Sequence, residues 1–437
     1  MGTITGKDLI NWGFKPGPWF GSAIKRANEL LTLGYSIAYI EDEIRTLEPE
    51  PIPEIPYRTN SIPFTNYLAP QNDEERRNYD QVVAAMDSLM RTPTIVSGEV
   101  MPDACPAGVI PVGGVVATKD AIHPGFHSAD VCCSMAITVF KREMDLKSLL
   151  DAAHRVTHFG PGGRTDAITR LGNDLAHRIH NNRFLGKDLL DTAQYHLGTQ
   201  GDGNHFLFVG TLRSTGQPTI VTHHGSRGLG AMLYRRGMAV AKRHTAIHSP
   251  RTPAAAAWID ANSDEGRDYW EALQIVRDWT KVNHFAIHDA IQQAIGNRIE
   301  DRFWNEHNFV FRRDDGLLYH AKGATPSFNG FSPDDDGRTL IPMNMSEPIL
   351  ITRHTGGFAP HGAGRNMSRT EFLRNYEGGD DIGHLDVRFY LGKPDFSELP
   401  SAYKKADHVI NSIRKHNLAD IVDYVDPYGC IMAGTHA

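Results

Sequence analysis

The chain has 437 residues, of which 40% are hydrophobic and 22% are charged. These fractions indicate a globular protein with a sizeable buried core, and they exclude a disordered or fibrous chain. The net charge is −7 and the pI is near 6.3. A nucleic-acid-binding surface based on overall positive charge is therefore excluded, and any contact with nucleic acid must come from a local basic patch.

Composition also predicts the compartment. No apolar run reaches the roughly 18 residues of a membrane-spanning helix. The first residues, MGTITGKDLINWGF, lack the basic start and the apolar stretch of a signal peptide. We therefore expect a cytoplasmic protein with no membrane partner. Four cysteines cannot form a disulfide framework in a chain of this length, so the thiols are expected to be reduced or used in metal binding or catalysis.

The predicted elements are taken in chain order. Helices are predicted for most of residues 1–47, followed by an extended proline-rich linker at 48–64 and a helix at 73–92 with Asp73 as its N-cap. The later predicted elements are strands and tight loops at 94–140, helices near 143–156 and 165–180, a strand at 219–224 leading to a glycine turn and a basic helix, a helix at 266–296, alternating strands and loops after 305, and a last helix at 401–417. This mixed order predicts an α+β fold, with one large domain at 66–437 and a helical appendage and linker at 1–65.

Polar residues cluster beside glycines at predicted strand ends, where loops often carry functional sites. The first cluster is HPGFHSADVCCSM, residues 123–135. Asp130 and Cys133 are three residues apart, so a tight turn can direct both to one ion, and a carboxylate and a thiolate together with imidazoles suit a borderline divalent metal. On this segment alone, a strand-end aspartate and a buried thiol are the simpler interpretation.

Two further clusters place a histidine at a strand end. In GTQGDGNHFLFV, residues 198–209, three glycines permit close backbone approach before Asn204 and His205. In VTHHGSRGLG, residues 221–230, a strand delivers His223 to a glycine turn, and Arg227 follows in a position suited to an anion.

The last two clusters differ in strength. His307 and Asn308 in EHNFV are isolated, and a structural histidine is the simpler interpretation of that segment alone. In HGAGRNMSR, small residues around His361 leave space for a bulky ligand. Arg365 and Arg369 follow, and their guanidinium groups can bind phosphates through paired donors.

Taken together, these clusters resemble the RtcB family of RNA-splicing ligases from about residue 101 to the C-terminus. The matching pieces occur in family order: MPD, GGV, HPG with Asp130 and Cys133, GNHF, HGSRGLG, HN, KGAT and HGAGR with a following SR. The resemblance implies central β-sheets flanked by helices, a centre of two manganese ions, and GTP-dependent joining of RNA 2′,3′-cyclic-phosphate or 3′-phosphate ends to 5′-hydroxyl ends. RNA repair or tRNA splicing is the implied process. The resemblance also implies an archease-like activator as a candidate partner. The protein is expected to be monomeric.

The resemblance also implies residue roles. His361 corresponds to the histidine that becomes covalently guanylylated. The implied metal ligands are Asp130, Cys133, His205, His223 and His307, and the implied phosphate-binding residues are Arg227, Arg365 and Arg369. The implied nucleotide-binding residues are Asn204, His205, Phe206, Leu207, Phe208, His307, Asn308, Pro342, Met343, Asn344, Met345, His361, Gly362, Ala363, Gly364 and Met432. Lys322 lies in the KGAT loop and receives no defined role.

The departures from the family pattern concern the nucleotide pocket or its surroundings. Phe208 stands where the family usually has a glutamate that reads guanine, and Met432 stands where a lysine contacts the nucleotide. Residues 342–345 read Pro-Met-Asn-Met instead of Pro-Gly-Ser-Met, and residues 403–405 read Tyr-Lys-Lys instead of Tyr-Lys-Asp. Metal binding and phosphate chemistry are therefore better supported than guanine selectivity.

Two alternatives to ligation remain. The altered base pocket favours a metal-dependent phosphoesterase that opens cyclic phosphates without joining RNA, whereas the retained His361 argues against it. The other alternative is a non-catalytic protein that binds RNA ends, and the complete set of five ligand positions argues against that.

Overall fold

The computed structural model describes residues 2–50, 53–380 and 382–436. The chain divides into two compact units, Met1–Glu54 and Ile55–Ala437. The boundary predicted between residues 65 and 66 stays a prediction, and residues 51 and 52 of the predicted linker lie outside the described residues. Within the described ranges, no helix is both long enough and apolar enough to cross a membrane.

The described residues form twelve α-helices and nineteen strands. The helices are α1 (Gly6–Asn11), α2 (Phe20–Thr32), α3 (Ile37–Thr46), α4 (Asp73–Leu89), α5 (Pro124–His127), α6 (Leu146–Val156), α7 (Asn173–Asn181), α8 (Leu190–His196), α9 (Arg227–His248), α10 (Asp264–Ile295), α11 (Arg369–Asn375) and α12 (Ala406–Lys415). The strands are β1 (Thr65–Asn66), β2 (Ile95–Cys105), β3 (Val112–Thr118), β4 (Ala121–Ile122), β5 (Ser134–Phe140), β6 (Phe206–Leu212), β7 (Pro218–His224), β8 (Ile259–Asp260), β9 (Ile299–Glu306), β10 (Asn308–Arg312), β11 (Leu318–Lys322), β12 (Ala324–Ser327), β13 (Arg338–Ile341), β14 (Ile349–Arg353), β15 (Gly357–Pro360), β16 (Asp386–Phe389), β17 (Gly392–Lys393), β18 (Asp420–Met432) and β19 (Thr435–His436).

The smaller unit contains α1, α2 and α3. Its apolar residues recur at helical spacing, and Leu9, Leu30 and Ile40 are buried in a core of its own. The hydroxyl of Ser36 accepts a hydrogen bond from the backbone N–H of Tyr39 and caps α3. The predicted helical character of residues 1–47 is confirmed.

The larger unit is built on two sheets, which confirms the α+β prediction. One sheet has the order β1-β2-β3-β11-β10. The other has the order β13-β14-β18-β6-β7-β5-β9, with β16 paired to β18. The last residue of β9 is Glu306 and the first residue of β10 is Asn308, so the chain passes from one sheet to the other at His307. The strands on either side of His307 belong to different sheets, so both sheets fix its position.

The long helix α10 packs behind the strands that carry the site. It begins after Ser263, whose hydroxyl accepts the N–H of Gly266, and it ends at Gly296, where φ is +64°. His284 and His288 on this helix are buried, and their ring nitrogens lie 2.7 and 2.8 Å from the hydroxyl of Thr222 on β7. These contacts fix β7 from its rear face.

Several predicted boundaries are wrong. Asn72, not Asp73, caps α4, because its side chain accepts the N–H of Glu75 while Asp73 is already helical. The basic helix α9 begins at Arg227, within the predicted glycine turn. The helices predicted at 165–180 and 401–417 are shorter, since loops occupy residues 165–172 and the last helix begins at Ala406.

Candidate active site

A cavity of about 420 Å³ opens in the larger unit, and the predicted clusters converge on it. The clusters arrive from both sheets: the chain before β5 supplies Cys133, β7 supplies His223, the β9–β10 junction supplies His307, and the loop after β15 supplies His361. The cavity therefore gathers side chains that are far apart in the sequence.

Five of the predicted residues form two ligand groups that share one thiol. The donor atoms of Cys133, His223 and His307 lie within 4.8 Å of one another, and so do those of Asp130, Cys133 and His205. The Sγ of Cys133 lies 3.2 Å from Nε2 of His223 and 3.6 Å from Nε2 of His205. The Nε2 atoms of His223 and His307 are 3.2 Å apart.

The protonation states of this cluster suit a divalent cation. The Nδ1 of His223 lies 3.1 Å from the carbonyl oxygen of Asn204, which can only accept, so Nδ1 carries the proton and the Nε2 lone pair faces Cys133 and His307. Burial lowers the pKa of His223 to about 4, so the ring is neutral at pH 7. Burial also raises the pKa of the Cys133 thiol well above its usual range, so a thiolate needs a positive charge beside it. A borderline divalent ion supplies that charge and accepts both types of donor.

The backbone around the cluster is strained at three non-glycine residues. Ser128, Cys132 and Arg227 have φ values of +62°, +63° and +55°. Such conformations cost about 1–3 kcal/mol each and concentrate at functional sites. Glycine is required at position 201, where φ is +91° and an added Cβ would meet the Nη1 of Arg227 at 2.2 Å.

His361 is held by a buried carboxylate that the motif analysis did not single out. The Oδ2 of Asp103 lies 2.6 Å from Nδ1 of His361 and accepts the backbone N–H groups of His361 and Gly362 at 3.1 and 3.3 Å. The Nδ1 proton therefore points to Asp103, and the Nε2 lone pair is available to a substrate. The rings of His361 and His307 have centroids 5.1 Å apart. Asp103 is the aspartate of the MPD motif, and this motif was the feature of the sequence that could have identified it as a partner of His361.

One end of the cavity is apolar. Phe206 and Phe208 line it from β6, and Met343, Met345 and Met432 line it from other segments. In the sheet, Phe206 pairs with Met432 on one side and His223 on the other. This register places the apolar end directly beside the histidine cluster.

Three basic side chains also line the cavity. They are those of Lys322, Arg365 and Arg369. Burial lowers the pKa of the Lys322 ammonium, which shows the cost of desolvating this cation. These groups offer donors to an anionic ligand.

Most of the predicted site residues line this cavity, but three do not. Leu207 is fully buried in a hydrophobic cluster on the face of β6 opposite to Phe206 and Phe208. Arg227 uses its guanidinium to donate to Thr199 and to the carbonyl oxygens of two glycines. His205 contacts Cys133 from behind the cavity wall.

Comparisons with known proteins agree with this geometry. Residues 170–433 match the family described as "tRNA-splicing ligase RtcB", which is more than half of the chain. The chain belongs to the RtcB family. It is 26% identical over 417 residues to the tRNA-splicing ligase RtcB of Thermococcus kodakarensis, covering 76% of this chain and 86% of that protein. The RtcB of Archaeoglobus fulgidus is 26% identical over 419 residues, covering 76% and 87%.

The RtcB of Methanopyrus kandleri is 26% identical over 307 residues, which cover 56% of this chain and 31% of that protein. The RtcB relatives are named as tRNA-splicing ligases, and this chain is thus a member of a family of RNA ligase enzymes. The family prediction made from the motifs is confirmed.

Proposed function

We propose that the protein joins RNA 2′,3′-cyclic-phosphate or 3′-phosphate ends to 5′-hydroxyl ends, with GTP as the energy source and a covalent His361–GMP intermediate. The observation that carries this proposal is the placement of His361. Its Nδ1 is held by Asp103 at 2.6 Å, and its ring lies beside His307 in the cavity that also contains the Cys133 ligand groups.

The two ligand groups, both of which include Cys133, have donors suited to a borderline divalent cation and would hold manganese. His223 and His307 would complete one group, and Asp130 and His205 would complete the other. Bound manganese would neutralise the triphosphate and the charge that develops during phosphoryl transfer. The protein's contribution is to keep the three imidazoles neutral by burial, and the carbonyl oxygen of Asn204 also orients the ring of His223.

The first covalent step uses the free Nε2 of His361. This atom attacks the α-phosphorus of GTP, an N–P bond forms, the P–O bond to the β-phosphate breaks, and pyrophosphate leaves. Positive charge grows on the imidazole as the N–P bond forms. The Asp103 carboxylate stabilises this charge by accepting a hydrogen bond from Nδ1–H, and the proton stays on Nδ1. The Nδ1 contact therefore serves both orientation and charge.

The later steps regenerate the histidine. The RNA end that reacts is a 3′-phosphate; where the end is cyclic, water adds to its phosphorus beforehand, the bond to the 2′-oxygen breaks and the 2′-oxygen takes up the proton. An oxygen of this RNA 3′-phosphate attacks the phosphorus of the His361 adduct, the N–P bond breaks, and GMP is transferred to the RNA end. The 5′-hydroxyl then attacks the RNA 3′-phosphorus and GMP departs. Arg365 and Arg369 would bind the phosphates, so that positioning supplies much of the rate.

The nucleobase would occupy the apolar end beside Phe206 and Phe208. Aromatic and thioether groups there can stack on a purine. Among the described residues, those that form this end (Phe206, Phe208, Met343, Met345 and Met432) carry no carboxylate that could bind the guanine edge. The apolar character of this end supports its proposed role in holding a base, and it does not support selectivity for guanine.

Covalent labelling tests the proposal. Purified protein is incubated with manganese and α-radiolabelled GTP, beside His361→Ala and the control His180→Ala, which changes an exposed histidine on α7. We expect a labelled band in the wild type and the control and none in His361→Ala. Label that persists in His361→Ala contradicts the proposed nucleophile.

A metal-dependent cyclic phosphoesterase is the second candidate, and the apolar base end favours it. This activity needs the metal ligands but not a histidine adduct. Hydrolysis of a 2′,3′-cyclic end by metal-loaded protein that forms no adduct with GTP or ATP would replace the ligase proposal with this one.

A further inference from the structure

Glu398 is a buried carboxylate in the wall of the cavity, between two arginines and a tyrosine. Its side chain has no exposed surface. It ends a short 3-10 helix, Phe396–Glu398, that begins after Asp395, whose carboxylate accepts the N–H of Ser397. An unpaired carboxylate would be costly here, so its partners decide what it does.

One carboxylate fixes three side chains. The Oε1 of Glu398 accepts a hydrogen bond from Nε of Arg369 at 2.8 Å and lies 2.7 Å from Nη2 of the same residue. The same oxygen lies 3.6 Å from Nη1 of Arg365. The other oxygen accepts the hydroxyl of Tyr403, over whose ring the Arg365 guanidinium lies at 5.3 Å from the centroid.

The two arginines and Glu398 together carry a net charge of +1, with Asp395 close enough to Arg369 to raise its pKa further. Arg365 and Arg369 carry two positive charges against the single negative charge of Glu398. Burial and the charge of Glu398 raise the pKa of Tyr403 well above its usual range, so the phenol stays neutral and donates. Both terminal nitrogens of Arg365 are buried and lack a hydrogen-bond acceptor among the described residues.

The unsatisfied donors lie in the wall of the same cavity as His361. A phosphate group presents several acceptor oxygens and a negative charge that would complement the two arginines beyond what Glu398 alone supplies. The guanidinium groups can bind the phosphate through two hydrogen bonds each only in a fixed orientation, because the two N–H donors must lie in one plane with the phosphate oxygens. Glu398 is the group that sets this orientation.

Building on the proposed RNA-joining function, we propose that Glu398 is a positioning residue that holds Arg365 and Arg369 to bind the terminal 3′-phosphate of the RNA. It acts through the two arginines. Without its charge, the arginines repel each other and lose their common anchor, and the 3′-phosphate is held less tightly. Formation of the His361 adduct from GTP involves no RNA phosphate and does not need Glu398.

Binding of two matched oligoribonucleotides tests this role. They share one sequence and differ only in a 3′-phosphate or a 3′-hydroxyl end, and fluorescence anisotropy gives their affinities for manganese-loaded His361→Ala protein. We expect this protein to prefer the 3′-phosphate, and Glu398→Gln to reduce the preference at least tenfold. Glu371→Gln, which changes an exposed glutamate on α11, is the control and keeps the preference.

Glu398→Asp provides the conservative comparison. It keeps the negative charge but places it farther from the arginines, because the side chain is one methylene shorter. We expect it to retain more of the preference than Glu398→Gln. An unchanged preference in folded Glu398→Gln overturns the proposal. If Glu398→Gln does not fold, Glu398→Asp decides: a loss of threefold or more supports the proposal, and the full wild-type preference overturns it.

The failure of this inference is distinguishable from that of the proposed function. In protein that retains His361, Glu398→Gln should form the GMP adduct at the wild-type rate while its KM for RNA rises. Absence of the adduct in the wild type refutes the proposed function. A normal adduct with an unchanged KM for RNA in Glu398→Gln refutes only the positioning role.

Discussion

Replacing Asp103 by asparagine should slow the nucleotidylation of His361 without dismantling the loop that carries it. The asparagine side chain keeps the shape of the aspartate and an oxygen that can still accept the backbone N–H groups of His361 and Gly362. It removes the negative charge 2.6 Å from Nδ1 of His361. A hydrogen bond to a charged group contributes about 1.5–3 kcal/mol. Since each 1.4 kcal/mol corresponds to about tenfold in rate, we expect labelling to be about 10- to 100-fold slower.

The assay is single-turnover labelling with α-radiolabelled GTP and manganese at saturating nucleotide, so that the rate reports the chemical step. Asp87→Asn, at an exposed position of α4, is the matched control and should label like the wild type. Thermal unfolding of both variants shows whether the fold is kept. Wild-type labelling by folded Asp103→Asn would refute the assignment of Asp103 as the group that orients and stabilises the His361 ring.

Three further predictions concern stability and nucleotide choice. Burial lowers the pKa of His123 to about 3, of His127 to about 4 and of His288 to about 3, from a usual value of 6.5. As the pH falls, the unfolded chain therefore takes up these protons before the folded protein does, so the stabilisation is complete above pH 6.5 and decreases toward pH 4. The three histidines together should lower the free energy of unfolding by about 4 kcal/mol between pH 7.5 and 5.5. A free energy of unfolding from urea titration that does not change over this range would contradict this. Ser128→Gly should raise the urea midpoint, because it relieves a backbone conformation with φ +62° and ψ −169° for a net gain of about 1 kcal/mol; a lower midpoint would show that the serine side chain offsets the strain. Because Phe208 gives the apolar end of the cavity no hydrogen-bonding side chain, GTP and ATP should label His361 with rates that differ by less than about 100-fold, and a ratio near 10⁴ would reveal a polar contact to guanine.

The strand-end clusters were predictable because each is local in sequence. A strand followed by glycine and histidine identifies a candidate position such as His223 without knowledge of its neighbours. The sheet then brings His223 and His307 together through pairings that no short motif encodes. The family resemblance predicted that these histidines belong to one set of ligands, and the structure shows the distances between them.

The parts that sequence analysis missed depend on contacts across long stretches of chain. Asp103 and His361 are separated by 258 residues, so no spacing rule connects them. The resemblance implied a nucleotide-binding role for Leu207 together with Phe206 and Phe208, although the two-residue alternation of a strand directs Leu207 to the opposite face. Asn72 and Asp73 are both good caps, and only the observed bond to Glu75 distinguishes them.

The position of β18 in the larger sheet has a consequence for how the protein is made. This strand, Asp420–Met432, lies between β14 and β6, whereas β6 itself is Phe206–Leu212. During translation, β6 can pair with β7 soon after both emerge, but its other edge stays open until the ribosome has produced β18. The open edge exposes unpaired backbone N–H and C=O groups of a strand that carries the apolar side chains of Phe206 and Phe208, and exposed edges of apolar strands are prone to wrong pairing. The apolar end of the cavity is therefore completed late in synthesis, and we expect the nascent chain to be most vulnerable to aggregation in the interval before β18 appears.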